Sequence, residues 1–205
     1  MAAQPTGAAR EATVEPSASQ KGADDDSWSL GASVYAYFVP DSPDYIQPTI
    51  TADRGGIHLE GRVNYEDIHT ASAWIGWNWS AAGTVSIELT PMAGVFVGDI
   101  SGVAPGYEGT LSWRKLELYS EGEYAIDPGN SANSFFYNWT TLTLEPTEGF
   151  RFGVVVEHTR AYHSSLEIQR GFIVGFSFKQ VSATAQLLNP DLSVPTYVLS
   201  MSADF

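Results

Sequence analysis

The chain has 205 residues, enough for one domain. Its net charge of −14 excludes the basic surface that nucleic-acid phosphates demand, and its lack of cysteine excludes disulfides and thiolate metal sites. Only 17% of residues are charged, against about 25% in an ordinary soluble protein, yet no apolar run reaches the roughly 18 residues of a membrane-spanning helix.

Residues 1–26 are rich in Ala, Pro, Ser, Gly and Glu, contain no aromatic residue and end in Asp24-Asp25-Asp26. Such a segment buries too little apolar area to offset its ordering entropy, so it reads as a disordered N-terminal tail, with a plug inside the fold as the alternative. From Ser27 onward the hydropathy alternates with a period of two, the period of a β-strand with one apolar and one polar face. Trp28, Leu30, Ala32, Val34, Ala36 and Phe38 oppose Ser29, Gly31, Ser33, Tyr35 and Tyr37. Ile57, Leu59, Gly61, Val63 and Tyr65 oppose His58, Glu60, Arg62 and Asn64; Ala73, Ile75, Trp77 and Trp79 oppose Ser72, Trp74, Gly76 and Asn78. The same alternation runs through 85–97, 150–157, 171–178 and 181–187. Over 107–145 the faces are ambiguous, above all from Phe135 to Thr143.

Tight turns fall near Asp53-Arg54-Gly55-Gly56, Ala81-Ala82-Gly83, Arg114-Lys115, Pro146-Thr147-Glu148-Gly149 and Phe178-Lys179-Gln180. Longer links lie at 40–44, 66–70, 98–106, 127–134, 159–165 and 189–195. Short and long connections therefore alternate between about twelve strands, and an even count puts both ends of the domain on one side.

The last residues carry a further pattern. Tyr197, Leu199, Met201, Ala203 and Phe205 are apolar or aromatic and alternate with polar Thr196, Ser200, Ser202 and Asp204; Val198 is the exception. A final strand ending on Phe resembles the C-terminal signal of bacterial outer-membrane β-barrels. The resemblance covers residues 27–205 and identifies no subfamily. It implies an all-β, closed antiparallel transmembrane β-barrel with short periplasmic turns and longer extracellular loops. It also implies a tail on the periplasmic side, a bacterial outer-membrane location, and handling by the barrel-assembly machinery through the strand ending in Phe205. Met1-Ala2-Ala3-Gln4-Pro5 carries no basic or apolar leader, so the export signal is read as already removed. Closure leaves no unpaired sheet edge in lipid. Girdle aromatics are expected at Trp28, Phe38, Tyr45, Tyr65, Trp77, Trp79, Tyr107, Trp113, Phe150, Tyr162 and Phe205. A soluble sandwich or lipocalin-like barrel shares the alternation, but its outward face would be rich in Lys and Glu; here the polar face carries Gly, Ser, Thr and Asn.

In the barrel orientation the polar face lines the lumen. Glu60, Arg62, Glu88, Glu117, Glu121, Glu123, Arg151 and Glu157 fall on it, six acids against two bases. The function expected from this is a narrow passive channel for small solutes with weak cation preference. A structural or adhesive barrel with a closed lumen, and an outer-membrane hydrolase, are the rivals. The barrels specific for oligogalacturonate resemble the chain in size, but they line the lumen with Arg, and this departure argues against an acidic sugar. His163, Ser165 and Glu167 hold the residue types of a hydrolase triad in one link. His58 reads as part of a luminal polar ladder, His69 as a loop residue and His158 as a rim residue. No His or Cys spacing indicates a metal, and no cofactor is expected. The two Asn-x-Ser/Thr sequons, at Asn78 and Asn138, lie in or beside strands and read as chance. Asp41, Asp44, Glu66, Asp67, Asp99, Glu108, Asp127 and Asp191 are expected in loops among lipopolysaccharide. The expected partners are the lipid bilayer, lipopolysaccharide and small solutes, and the expected state is a monomer.

Overall fold

The computed structural model describes residues 27–39, 43–161 and 167–205. The expected N-terminal tail, Asp41, Tyr162, His163 and Ser165 lie outside the described residues. Within them, strand segments follow one another along the chain: β1 (Ser29–Phe38), β2 (Tyr45–Arg54), β3 (Ile57–Val63), β4 (Ala71–Trp77), β5 (Trp79–Ala81), β6 (Ser86–Val97), β7 (Gly102–Trp113), β8 (Leu116–Ala125), β9 (Phe135–Thr147), β10 (Phe150–Ala161), β11 (Glu167–Phe178), β12 (Val181–Leu188) and β13 (Thr196–Asp204). All pairings are antiparallel, each strand beside its sequence neighbours. β4 and β5 both pair with β6 and are parts of one strand interrupted at Asn78, so the ring has twelve strand positions.

The ring closes between its first and last strands. Gly31 to Phe38 of β1 stand opposite Asp204 to Tyr197 of β13. The ladder continues to the terminal residue, whose amide donates to the Leu30 carbonyl at 2.8 Å while its carbonyl accepts from the Leu30 amide at 3.3 Å. Closure pairs every edge, which is the condition for a sheet in hydrocarbon.

The alternation seen in the sequence becomes an outside and an inside. Ile50, Ile75, Val97, Phe172 and Met201 lie more than half exposed on the outer surface. Gln47, His58, Glu60, Arg62, Thr143, Arg151 and Gln186 are buried inside. This inversion of an ordinary globular protein is stable only where hydrocarbon covers the outer face; each large aliphatic side chain then contributes about 1.5–3 kcal/mol by leaving water. Val198, the break in the C-terminal alternation, points inward and is 0% exposed among Tyr37, Trp139, Val155 and Leu188.

The links divide as expected. One end of the ring carries short turns, with Arg114 at φ 58° and Lys179 at φ 56°, the left-handed backbone that two-residue hairpins require. The other end carries the longer links, including 64–70 and 126–134. The expected link at 98–106 is shorter, because β7 begins at Gly102 and runs through Pro105, opposite Ala93. Proline there costs one ladder donor but does not end the strand. Glu108, expected in a loop, is therefore a strand residue on the inward face of β7.

Candidate functional site: the barrel lumen

The lumen is built from alternate residues of facing strands, and its two ends differ. At the turn end, β1, β2, β9, β12 and β13 contribute short hydroxyl side chains. Thr184 and Ser200 share a 2.6 Å hydrogen bond, and Ser177 and Ser182 share one of 2.8 Å. Because these side chains are small, they leave a cavity of about 150 Å³. It runs from Ser29 and Asp204 at the turn-end rim to Tyr37, Tyr65, Tyr137 and Trp139.

At its loop-end limit the cavity meets a layer of aromatic side chains. Tyr37 stacks on Tyr45 with centroids 4.7 Å apart and planes at 2°. Tyr35 meets Trp139 edge-on at 6.0 Å, and Tyr65 meets Tyr137 edge-on at 5.6 Å. The Tyr65 and Tyr119 hydroxyls both donate to the Glu121 carboxylate, each at 2.6 Å. Two apolar clusters complete the loop end: Trp74, Met92, Phe96, Ile100, Ala104 and Ala125 on one side, and Tyr37, Trp139, Val155, Leu188 and Val198 on the other.

Charge is concentrated on one wall. Arg62 on β3 is 4% exposed and grips Glu60 with two parallel hydrogen bonds, Nε to Oε1 at 2.8 Å and Nη2 to Oε2 at 2.9 Å. Its Nη1 donates to Glu123 Oε2 at 3.3 Å, and Nη2 stands 3.6 Å from Glu108 Oε1. The guanidinium carbon lies 4.2 Å from the Tyr65 ring centroid and 4.6 Å from that of Trp74. Two aromatic faces and three carboxylates thus surround one fixed cation. Beside it, His58 Nδ1 is 2.8 Å from Asp53 Oδ1, and Asp53 also accepts from Asn78 Nδ2 at 2.6 Å. Arg151 lies across the lumen, 4.0 Å from Glu117. Acid exceeds base among the residues that border the cavity.

No family model matches the sequence, and no curated protein matches it. Solved structures do match the fold. The KdgM porin superposes with a TM-score of 0.62 at 11% identity, covering 85% of this chain and 99% of that one. The KdgM porin in complex with disordered oligogalacturonate gives 0.59 at 12% identity, with 86% and 99% covered. Pseudomonas aeruginosa OccK5 (OpdH) gives 0.46 at 9% identity, with 83% and 62% covered. The fold is that of a porin-like outer-membrane β-barrel.

This porin-like barrel brings together part of the expected luminal set. Glu60, Arg62 and Glu123 form one ion network, Glu121 sits in the tyrosine layer, and Glu117 and Arg151 line the cavity. Glu88 on β6 and Glu157 on β10 occupy inward positions apart from that network. His58 belongs to the luminal polar ladder, through Asp53. Two expected girdle aromatics, Tyr45 and Tyr65, face the lumen instead, where a stacked ring and a carboxylate hold them. Tyr107 is held by Asn138 and Ser120 in mid-strand. Of the expected loop acids, Glu108 lies instead in β7, and Glu66 stays in its link but is buried. Glu66 is 7% exposed, and Glu108 borders the cavity. Asp127 is also withdrawn from the surface, holding its link through the backbone amides of Gly129 and Asn130 and the Asn133 side chain. The ambiguous stretch resolves with Tyr137, Trp139, Thr141 and Thr143 inward and Asn138 and Thr140 outward. Hydropathy is reversed there, because the lumen wants aromatics and the outward Asn138 is satisfied by Tyr107, Ser120 and the Glu121 carbonyl.

Proposed function

We propose that this barrel is a narrow passive channel for small solutes in a bacterial outer membrane, with weak cation preference. The observation that carries the reading is the composition of the luminal wall: Asp53, Glu60, Glu108, Glu117 and Glu121 border the cavity, against His58 and Arg151. Fixed charge in a narrow aqueous space sets its potential, and the surplus here is negative. The oligogalacturonate named with the KdgM porin is an acidic sugar; the same wall would repel it, which points to neutral or cationic solutes. The apolar outer belt supports a bilayer partner with lipopolysaccharide beyond it. Phe205, 74% exposed at the end of the closing strand, supports recognition by the barrel-assembly machinery. We read the barrel as a monomer.

A closed structural barrel is the second reading, and the aromatic layer and apolar clusters at the loop end favour it. Reconstitution of the full chain in a planar bilayer decides between them. Discrete conductance steps with a reversal potential on the cation side in a salt gradient support the channel. Glu108→Gln, Glu117→Gln and Glu121→Gln together then move that potential toward zero. Absence of steps above leak sinks the channel; an unmoved potential sinks the assignment of these residues as its charge filter.

A further inference from the structure

Positive charge is gathered at one end of the barrel. Of the chain's ten basic residues, Arg54, Arg114, Lys115 and Lys179 lie in or beside the turns at 55–56, 114–115 and 179–180. Arg62 and Arg151 are buried inside, and Arg170, at the loop end, is paired with Asp191 at 2.9 Å. The links of that opposite end carry Asp44, Glu66, Asp67, Asp99, Asp127 and Asp191. Three of the turn-end cations lie over rings of the outer belt. Arg54 Cζ is 5.9 Å from the Trp28 ring centroid, Arg114 Cζ is 5.0 Å from that of Trp113, and Lys179 Nζ is 5.4 Å from that of Phe178. All three rings are exposed on the outer surface. Lys115 is used differently: its Nζ donates to the Pro146 carbonyl at 2.6 Å and ties two neighbouring turns together.

The three cation–ring pairs are evenly placed around the ring. β3, β4, β6 and β7 separate the first pair from the second; β8, β9, β10 and β11 separate the second from the third; β12, β13, β1 and β2 separate the third from the first. The connections that fall between them, at 82–85 and 148–149, carry no Lys or Arg. A ring face holds a cation in place without neutralising it, so the charge stays available to an anion beside it. Among the described residues, neither Arg114 nor Lys179 forms an ion pair with a carboxylate. Long basic side chains run their stems along an apolar belt and keep their heads in the interface, at the level of lipid headgroups. A chain of net charge −14 is repelled as a whole by an anionic surface, and this rim is where the sign is locally reversed.

We propose that the turn-end rim is a docking surface for the headgroups of anionic phospholipids, gripped at three points by Arg54 with Trp28, Arg114 with Trp113, and Lys179 with Phe178. At each point the ring lies against the acyl chains and the cation meets the phosphate. The surface is continuous with the apolar outer belt, so a lipid seated there is already held by its tails and is selected by its head. The acidic links make the loop end unfit for the same lipids, so the preference is one-sided. The surface acts whether or not solutes pass through the lumen.

The test uses the tryptophans of the protein itself. The exposed ones, Trp28, Trp77, Trp79 and Trp113, all lie at the turn end, while Trp74 and Trp139 are buried in the barrel. Quenching of their fluorescence by brominated acyl chains therefore reports the lipid shell at this rim. The full chain is refolded into phosphatidylcholine vesicles holding a minor fraction of brominated phosphatidylglycerol, and into the same vesicles with brominated phosphatidylcholine instead. Heat-modifiable gel migration confirms that each variant is a folded barrel. The expected result is that phosphatidylglycerol is enriched at the rim about threefold or more over its bulk fraction at low salt. The enrichment falls toward unity near 1 M salt, where the screening length is about 3 Å. Arg54→Gln, Arg114→Gln and Lys179→Gln combined remove it. Arg54→Lys with Arg114→Lys keeps it, and so does Arg170→Gln at the opposite end. Equal quenching by the two lipids in the wild type overturns the proposal, as does enrichment that survives high salt. Enrichment retained by the combined Gln variant, or lost equally in Arg170→Gln, overturns it in favour of a general charge effect.

Discussion

The two ends of the lumen are made from the same alternating strands and behave as opposites. The turn end is walled by Ser and Thr and holds the cavity; the loop end is packed with tyrosines, two apolar clusters and a buried ion network. Side-chain volume makes the difference. Thr49, Thr51, Ser182, Thr184, Ser200 and Ser202 are too short to meet across the barrel, whereas Tyr35, Tyr65, Tyr119, Tyr137 and Trp139 are long enough to touch. The lumen is therefore narrowest within the few residue layers where long side chains meet, and wider below them.

The largest effect should come from the ion network. Arg62→Met leaves Glu60 and Glu123 buried without their cation and should lower stability by about 3–5 kcal/mol, read from the denaturant midpoint of the refolded barrel. A loss below about 1 kcal/mol, the size expected of an exposed pair, would show that the loop end is wetter than described. Next comes the outer belt. Val34→Arg, on the lipid face midway along β1, should cost about 2–4 kcal/mol in bilayer or micelle; a neutral result would break the inside-out orientation itself. Smaller effects sharpen the contrast between the ends. Tyr65→Ala should raise single-channel conductance, because it removes both a ring and the clamp on Glu121. Thr184→Ala should leave conductance unchanged and cost about 0.5–1.5 kcal/mol for its hydrogen bond to Ser200. Equal conductance changes in the two variants would mean that the narrow layer does not limit flow.

The smallest effect lies outside the membrane. The Asn133 side-chain amide, then the backbone amides of Asn130 and Gly129, hold the Asp127 carboxyl below the usual aspartate value. A depressed carboxylate contributes order that is present above the unfolded value and lost as pH falls through the folded one. The Gly129 and Asn130 amide resonances should therefore titrate only on the acid side of about pH 3.9. Asp127→Asn should abolish that transition, and a midpoint above the ordinary value would refute the hydrogen-bonded arrangement.

Much of the molecule was legible as local pattern. The alternation at Trp28–Phe38 and Tyr197–Phe205 gave the outer face of β1 and β13, and the turns at Arg114-Lys115 and Lys179-Gln180 lie where Arg, Lys and Gln interrupt it. Glu60, Arg62 and Arg151 were readable as luminal because they share parity with polar or small residues, and Glu117 and Glu121 because they alternate with Leu116 and Leu118. Glu108 was hidden because Gly102, Pro105 and Gly106 resemble a loop. Tyr137 and Trp139 were hidden because their hydropathy contradicts the period around them. Glu66 was hidden because a polar residue in a link looks solvated.

What the sequence settled by itself was side and order: which residues face hydrocarbon, which face the interior, and how turns and links alternate. A period of two is a local property of extended backbone, so it is written into adjacent residues. Only the tertiary structure decided which inward residues meet. Arg62 and Glu123 lie 61 positions apart, and closure of the ring brings them within reach. The alternation cannot encode that contact, because it sets a side chain's direction and not the distance to the wall opposite.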